Sequence, residues 1–283
     1  MPGPRPLILV RGGGDLASGV ILRLYRAGLQ VVVSELAEPL AVRRTVSFAE
    51  AVYDGQQTVE GVTARLVERG LLTAALDANE VPVLVDPEAE ILQFDLAFLV
   101  VVDARLTKHT PAPLSRAVPL HIGLGPGFHA GENCQAVVET RRSHTLGRVY
   151  WQGAAQPDSG QPEGDSRRVL RAVSDGRFVA RKKIGEHCEP GDLIGEIYHP
   201  NEDRASEIRA PLAGILRGII RDGVHVTRGL KIGDVDPRDD PSACFLVSDK
   251  ALAIGGGVLE AILSRVDIRS ALWSPLKSHL SKS

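Results

Sequence analysis

Short apolar runs closed by glycine or a charged side chain recur through the first half of the chain. Leu7, Ile8, Leu9 and Val10 form the first; Val31, Val32 and Val33 form the second, which ends in Ser34 and Glu35. Uninterrupted runs of this kind suit strands buried on both faces. Between them Ala17, Val20, Ile21 and Leu24 recur at helical spacing and predict a helix with one apolar face. Residues 81–85, 96–102 and 118–122 repeat the strand pattern. Ser47 and Glu50, three apart, read as a capping box for a short helix. From 57 to 76 an amphipathic stretch puts Val59, Val62, Leu66 and Val67 on a shared side, with Gly70 near a break. Alternating strands and helices predict an α/β fold: a Rossmann-like, doubly wound, mostly parallel sheet that binds ligands at the carboxyl edge of its strands.

Three loops are expected at that edge. Gly12, Gly13 and Gly14 follow the first strand, and Gly12-x-Gly14-x-x-Ala17 fits the strand–turn–helix layout in which exposed amides hold a diphosphate. Glu35, about 20 residues further on, stands where such folds place a ribose-binding carboxylate. Asp15 inside the turn repels phosphate unless it caps the helix. The second loop carries Asp103, Arg105 and Lys108, the third Gly123, Gly125, Pro126, Gly127 and His129. Gly12, Gly13, Gly14, Ala17, Glu35, Asp103, Lys108, Gly125 and Gly127 are therefore the candidate ligand-binding residues. Lys108, His129 and His144 are the candidates for proton transfer, since imidazole titrates near neutrality; the catalytic set, if there is one, stays open.

Residues 153–166, rich in Gly, Pro, Ser and acids, read as an exposed linker. Beyond it lies an internal repeat: KIGEHCEPGDLIGEI from Lys183 and IRDGVHVTRGLKIGDV from Ile220, with APLAGIL between them. Short strands separated by glycine turns suit a β module, and this set resembles the biotinyl/lipoyl barrel-sandwich domain. Carriers of that type attach their group to a lysine on the hairpin between the halves. Here that connection is residues 198–207, and no lysine occurs between Lys183 and Lys231, so no covalent biotin or lipoate is expected. In SDKALAIGGGVLEAILS, from Ser248, apolar residues keep helical spacing around Gly255, Gly256 and Gly257. Those glycines imply close packing against a backbone or a ligand, and Asp249 and Lys250 at the start of the segment join the ligand-binding candidates. Residues 266–283 read as a loose tail. The expected domains are 1–153 (Rossmann-like, nucleotide-binding), 167–240 (barrel-sandwich) and 248–265 (closing helix near the first domain).

Composition removes several classes of function. The 283 residues carry 33 basic and 35 acidic side chains, and no arginine-rich face argues for nucleic acid. Aromatic residues are scarce, which leaves little for base stacking. No apolar run is long enough to span a bilayer, and MPGPRP lacks the regions of a signal peptide, so a cytoplasmic protein without membrane attachment is expected. Three widely spaced cysteines suit a reducing compartment, and no ligand spacing points to a metal.

Taken together, VRGGGDLASGV, TVSFAEAVYDG, DARLTK, GLGPGFHAG, VVETRRSHTLGRVYW, APLAGIL, GLKIGDVDPR and SDKALAIGGGVLEAIL resemble the bacterial accessory family associated with selenium-dependent molybdenum hydroxylases. The family's ETxRGHxLG pattern is ETRRSHTLG here, with Ser143 in place of glycine. The resemblance implies a role in maturing or supporting a xanthine-dehydrogenase-type hydroxylase as partner, and the glycine-rich loops make a nucleotide, the dinucleotide form of the molybdenum cofactor or NAD, the expected ligand. Two alternatives stand beside it: an NAD-dependent oxidoreductase acting on a small substrate, and a scaffold without ligand. A homo-oligomer is compatible with all three.

Overall fold

The computed structural model describes residues 5–157, 165–199 and 205–273. The first half builds a nine-stranded sheet. β1 (Leu7–Arg11) leads through α1 (Asp15–Arg26) to β2 (Val31–Glu35), and the short α2 (Ala51–Asp54) precedes β3 (Gln56–Val59) and β4 (Val62–Leu66). Next come α3 (Leu72–Asp77), β5 (Val81–Val85), β6 (Phe98–Asp103), β7 (Leu120–Leu124), β8 (His129–Ala130), β9 (Ala136–Val138) and β10 (Val149–Tyr150). The spatial order is β10-β9-β7-β6-β1-β2-β5-β4-β3, and a short β11 (Gly153–Ala154) pairs with β8 apart from the sheet.

The expected doubly wound, mostly parallel Rossmann-like sheet is corrected to a large mixed sheet with few helices. Its interior pairs are parallel, but both edges turn antiparallel, β3 against β4 and β10 against β9. The chain passes from β6 to its neighbour β7 through a loop, with no helix. The amphipathic stretch from 57 is the β3–β4 hairpin rather than a helix. Glu60 and Gly61 take φ of 45° and 82° at its tip, the left-handed pair that a tight two-residue hairpin turn requires. Ser47 caps nothing: its hydroxyl donates to Gly13 O at 3.0 Å.

Alternation along the strands gives the sheet two cores. Ile8, Val10, Val33, Val100 and Ile122 face α1, and Leu7, Leu9, Val32 and Val101 face α3. The second half holds two four-stranded antiparallel sheets. One is β12 (Val169–Arg171), β19 (Lys231–Asp236), β17 (Gly214–Ile219) and β14 (His187–Cys188); the other is β16 (Ala205–Arg209), β15 (Leu193–Tyr198), β13 (Gly176–Ala180) and β18 (His225–Val226). Phe178, Ile194, Ile197, Leu216, Ile219 and Val235 fill their shared core. The expected barrel-sandwich domain is corrected to this pair of antiparallel sheets, whose charged residues on β17 and β19 turn toward the first half. Residues 200–204 of the 198–207 connection, and 158–164 of the expected linker, lie outside the described residues.

The chain then returns to the large sheet. α4 (Asp249–Ser264) lies on α1, followed by α5 (Val266–Trp273), which buries Ile268 and Leu272 where a loose tail was expected. A Cβ on Gly255 would stand 2.6 Å from Gly19 O, and one on Gly19 would collide with the Ala251 backbone. Gly255 thus serves a helix crossing at backbone distance, while Gly257 lies against the Gly147 backbone and Gly256 faces open space. No helix among the described residues is long and apolar enough to cross a membrane.

Candidate functional site

β1, β2 and β6 end side by side, with Arg11 in register with Ser34 on one neighbour and Asp103 on the other. A cleft of about 490 Å³ opens at this edge. Its near wall is formed by Arg11, Gly12, Gly14, Ser34, Glu35 and the turn at 104–106; its far wall is Arg168, Arg217, Lys231 and Asp234 from the second half. Residues 36–43, which we call the strap, run from one wall toward the other. Arg43 Nη2 donates to Ala243 O and Leu246 O at 3.0 and 2.9 Å, and Arg44 Nε donates to Ile219 O at 2.9 Å. Arg221 completes the junction on Glu50 and Asp54 at 3.1 and 2.7 Å.

The glycine turn is closed by its own chain. Gly12 N–H donates to Ser34 O at 2.7 Å, and Gly13 N–H donates to Glu35 Oε2 at 2.6 Å. The other Glu35 oxygen accepts Leu36 N–H at 2.7 Å. Gly13 O accepts from Ser18, Ser47 and Ala49. The amide offered to a diphosphate and the carboxylate offered to a ribose therefore hold each other. A carboxylate on a backbone amide beside a helix start is itself the favoured charge arrangement. This pairing corrects the nucleotide-binding reading of the motif.

Positive charge dominates the cleft instead. Its lining includes Arg11, Arg43, Arg105, Arg168, Arg217 and Lys231 against Asp15, Glu35 and Asp234. Asp103 is fully buried behind it and accepts from Arg105 Nε and Nη2 at 2.9 and 2.6 Å, which leaves Arg11 Nη1 at 3.4 Å. Burial pulls the Arg11 guanidinium below its ordinary pKa against the pull of Asp103, whereas bonding to Asp103 raises Arg105. Arg43 is only 7% exposed; its nearest carboxylate, Asp15, stands 3.7 Å away, and its Nε–H has no partner. Burial lowers its pKa too, with Asp15 opposing and Arg217 assisting. A buried cation without a close counter-ion is costly unless something balances it.

The candidate residues scatter relative to this cleft. Gly12, Gly14 and Glu35 line it, Gly13 lies within the closed turn, Asp103 sits behind it, and Ala17 is buried in α1. Lys108 is exposed on the loop after β6, away from the lining. Gly125 N–H donates to Val138 O on β9 and Gly127 N–H to Thr107 O on the loop after β6. His129 lies 3.2 Å from Glu132, and His144 belongs to a separate shallow groove with Tyr150 and Glu260. Asp249 pairs with Arg142 at 2.6 Å, with Lys250 beside it at the start of α4. The residues that sequence reasoning missed are Arg11, Arg43, Arg168, Arg217, Lys231 and Asp234. A signal for several of them exists: Arg11 closes an apolar strand, Arg217 interrupts GILRGII, and Asp234 interrupts KIGDV. Among the described residues, no group of three or more His, Cys, Asp or Glu side chains is placed to hold a metal ion.

No protein-family model matches the chain. Over 267 residues, 93% of its length, it is 45% identical to the uncharacterized protein YqeB of Escherichia coli (strain K12), and it spans 48% of that protein. Among solved structures it is similar to an aspartoacylase family protein from Mesorhizobium loti, at 15% identity and TM-score 0.30, covering 82% of this chain and 85% of that one. It is also similar to a succinylglutamate desuccinylase/aspartoacylase from Rhodobacter sphaeroides (15%, TM-score 0.28, covering 82% and 86%). The product-bound ectoine utilization protein EutE (DoeB) from Ruegeria pomeroyi stands at 12% and 0.28, covering 82% and 85%. Likeness this slight carries no chemistry to the present chain. None of these names mentions a molybdenum hydroxylase, and the relative matched over most of the chain is uncharacterized, so the resemblance drawn from the motifs is corrected to likeness to that uncharacterized protein. The maturation role and the NAD-dependent oxidoreductase lose their basis with the closed Gly13–Glu35 turn. The ligand-free scaffold does not match a cleft walled by under-compensated cations.

Proposed function

We propose that the protein binds a small organic anion in the cleft between the edge of the large sheet and the second half. The observation that supports this most directly is Arg43: a buried guanidinium in the cleft wall, with no carboxylate at hydrogen-bond distance and an unpartnered Nε–H. An acid group of the ligand supplies a closer counter-charge than Asp15 at 3.7 Å, and the low local dielectric makes that contact stronger than at the surface. Leu36 and Leu40, 49% and 44% exposed in the strap, give the carbon part of the ligand an apolar surface. The volume lies within the range of ordinary small-molecule sites.

Calorimetric titration with butyrate, adipate, citrate and inorganic phosphate at low ionic strength tests the reading. At least one should bind, and Arg43→Met should weaken it by about 30-fold, as expected for a lost charge-assisted contact of about 2 kcal/mol. Arg209→Met, at an exposed arginine outside the cleft, should leave the affinity as it was. The reading fails if none of the four anions binds, or if the folded Arg43→Met protein binds as tightly as the parent.

A further inference from the structure

Cations reach the cleft from both halves of the molecule, and each wall holds a guanidinium with a buried, unpartnered Nε–H. On the near wall Arg11 and Arg105 share the single carboxylate of Asp103. On the far wall Arg217 Nη2 and Lys231 Nζ reach Asp234 at 2.7 and 3.4 Å. Arg217 Nη1 also lies 3.2 Å from Asp236, a carboxylate that Arg238 already holds at 2.9 and 2.6 Å. Even with Arg168 set aside, three cations there face two carboxylates. The Nε–H groups of Arg11 and Arg217, one on each wall, are buried without partners.

The strap that joins the walls is apolar where it lines the cleft, through Leu36, Pro39, Leu40, Ala41 and Val42. A ligand with one acid head would balance one wall and leave the other as it stands. We infer that the ligand carries two acidic groups, one held at the sheet edge by Arg43 with Arg11 and one held by Arg217 with Lys231, joined by a short apolar chain along the strap. This rests on the anion-binding reading and narrows it to α,ω-dianions, either dicarboxylates or carboxylates with a terminal phosphate. Bidentate guanidinium recognition suits both head groups.

The test compares straight-chain dicarboxylates of four to eight carbons with monocarboxylates of equal length by calorimetry, and adds an ω-carboxyalkyl phosphate series as a third arm. The best dianion should bind at least about tenfold more tightly than its monoanionic counterpart. Arg217→Met should bring it to within about twofold of that counterpart measured on the same variant; Arg43→Met should weaken both. Should Arg217→Met not fold, as judged by circular dichroism, Lys231→Met serves the same purpose with a smaller loss. Tighter binding in the phosphate arm identifies one head as phosphate, and tighter dicarboxylate binding identifies both as carboxylates. Equal affinity for mono- and dianions overturns the two-headed ligand while the anion site stands. A far-wall variant that weakens both classes alike also overturns it. Binding of no anion at all removes the underlying reading.

Discussion

Where α4 comes back to the large sheet it meets α1 through Gly19, Ala251 and Gly255, close enough that no side chain fits between the backbones. Where the second half comes back to it, Arg43 and Arg44 donate to the carbonyls of Ala243 and Ile219, and Gly218 on β17 lies against Val42. A cleft lined by guanidinium groups and carboxylates is left open beside them. The first contact is made by removing side chains, so its strength is packing and its tolerance is small. The second is made by long polar side chains whose charges do not cancel locally. A junction of that kind stabilises the fold less than its number of contacts suggests, and it keeps a use for an external counter-charge. Architecture and recognition are thus assigned to different seams of the same molecule.

The sharpest way to break this comparison is to fill the helix crossing. Gly19→Val would drive a branched side chain into the Ala251 backbone, and overpacking at a site that cannot relax costs about 3 kcal/mol or more. Thermal melts should show a fall of roughly 6–12 °C. Anion affinity of the folded protein should stay within about twofold of the parent. A collapse of affinity together with stability would show that the two seams act as one.

What the sequence disclosed follows the same division. Local patterns were readable: Leu7–Val10 and Val31–Val33 are strands, and Ala17, Val20, Ile21 and Leu24 form a buried helix face. Patterns that depend on what a residue meets were not. Val59, Val62 and Leu66 keep helical spacing, yet the Glu60–Gly61 turn folds them into a hairpin. The distance from Gly14 to Glu35 correctly puts a carboxylate beside the glycine turn, but spacing does not reveal that it bonds to Gly13 rather than to a ligand. The antiparallel edges of the sheet left no mark in the apolar runs. Arg11, Arg43 and Arg217 lie far apart in sequence, and only the return of the second half brings them to one cleft.

A second expectation concerns the charge held behind the near wall. His121, buried on β7 next to Phe128, has its pKa pushed down from 6.5 to about 4, chiefly by burial, with Asp103 opposing and Arg11 and Arg105 assisting. The unfolded chain takes up this proton below pH 6.5 and the folded protein only near 4, so this group costs stability as pH falls through that window. The loss should approach about 3 kcal/mol at the lower end. His121→Leu should flatten that part of the pH profile in denaturant titrations. An unchanged slope would mean that burial does not keep this imidazole neutral through that window.

The smallest effect is expected at an arginine with two short bonds to one carboxylate. Arg142 holds Asp249 with two bonds of 2.6 and 2.8 Å and fastens the 141–145 loop to the start of α4, and the pairing keeps the Asp249 carboxyl well below the usual range. Both partners are largely in solvent, at 46% and 74% side-chain exposure. Water and salt screen such a pair, and holding two long side chains in one pose offsets much of the attraction, so Arg142→Met should cost under about 1 kcal/mol. Arg43 forms a longer and poorer ion pair, yet its removal should dominate anion binding because it is buried in the cleft wall. Measuring both variants in one denaturant and calorimetric series sets geometry against burial. A larger loss of stability at Arg142 than at Gly19, or a loss of anion affinity at Arg142 comparable with that at Arg43, would mean that the charged seam is not where recognition resides.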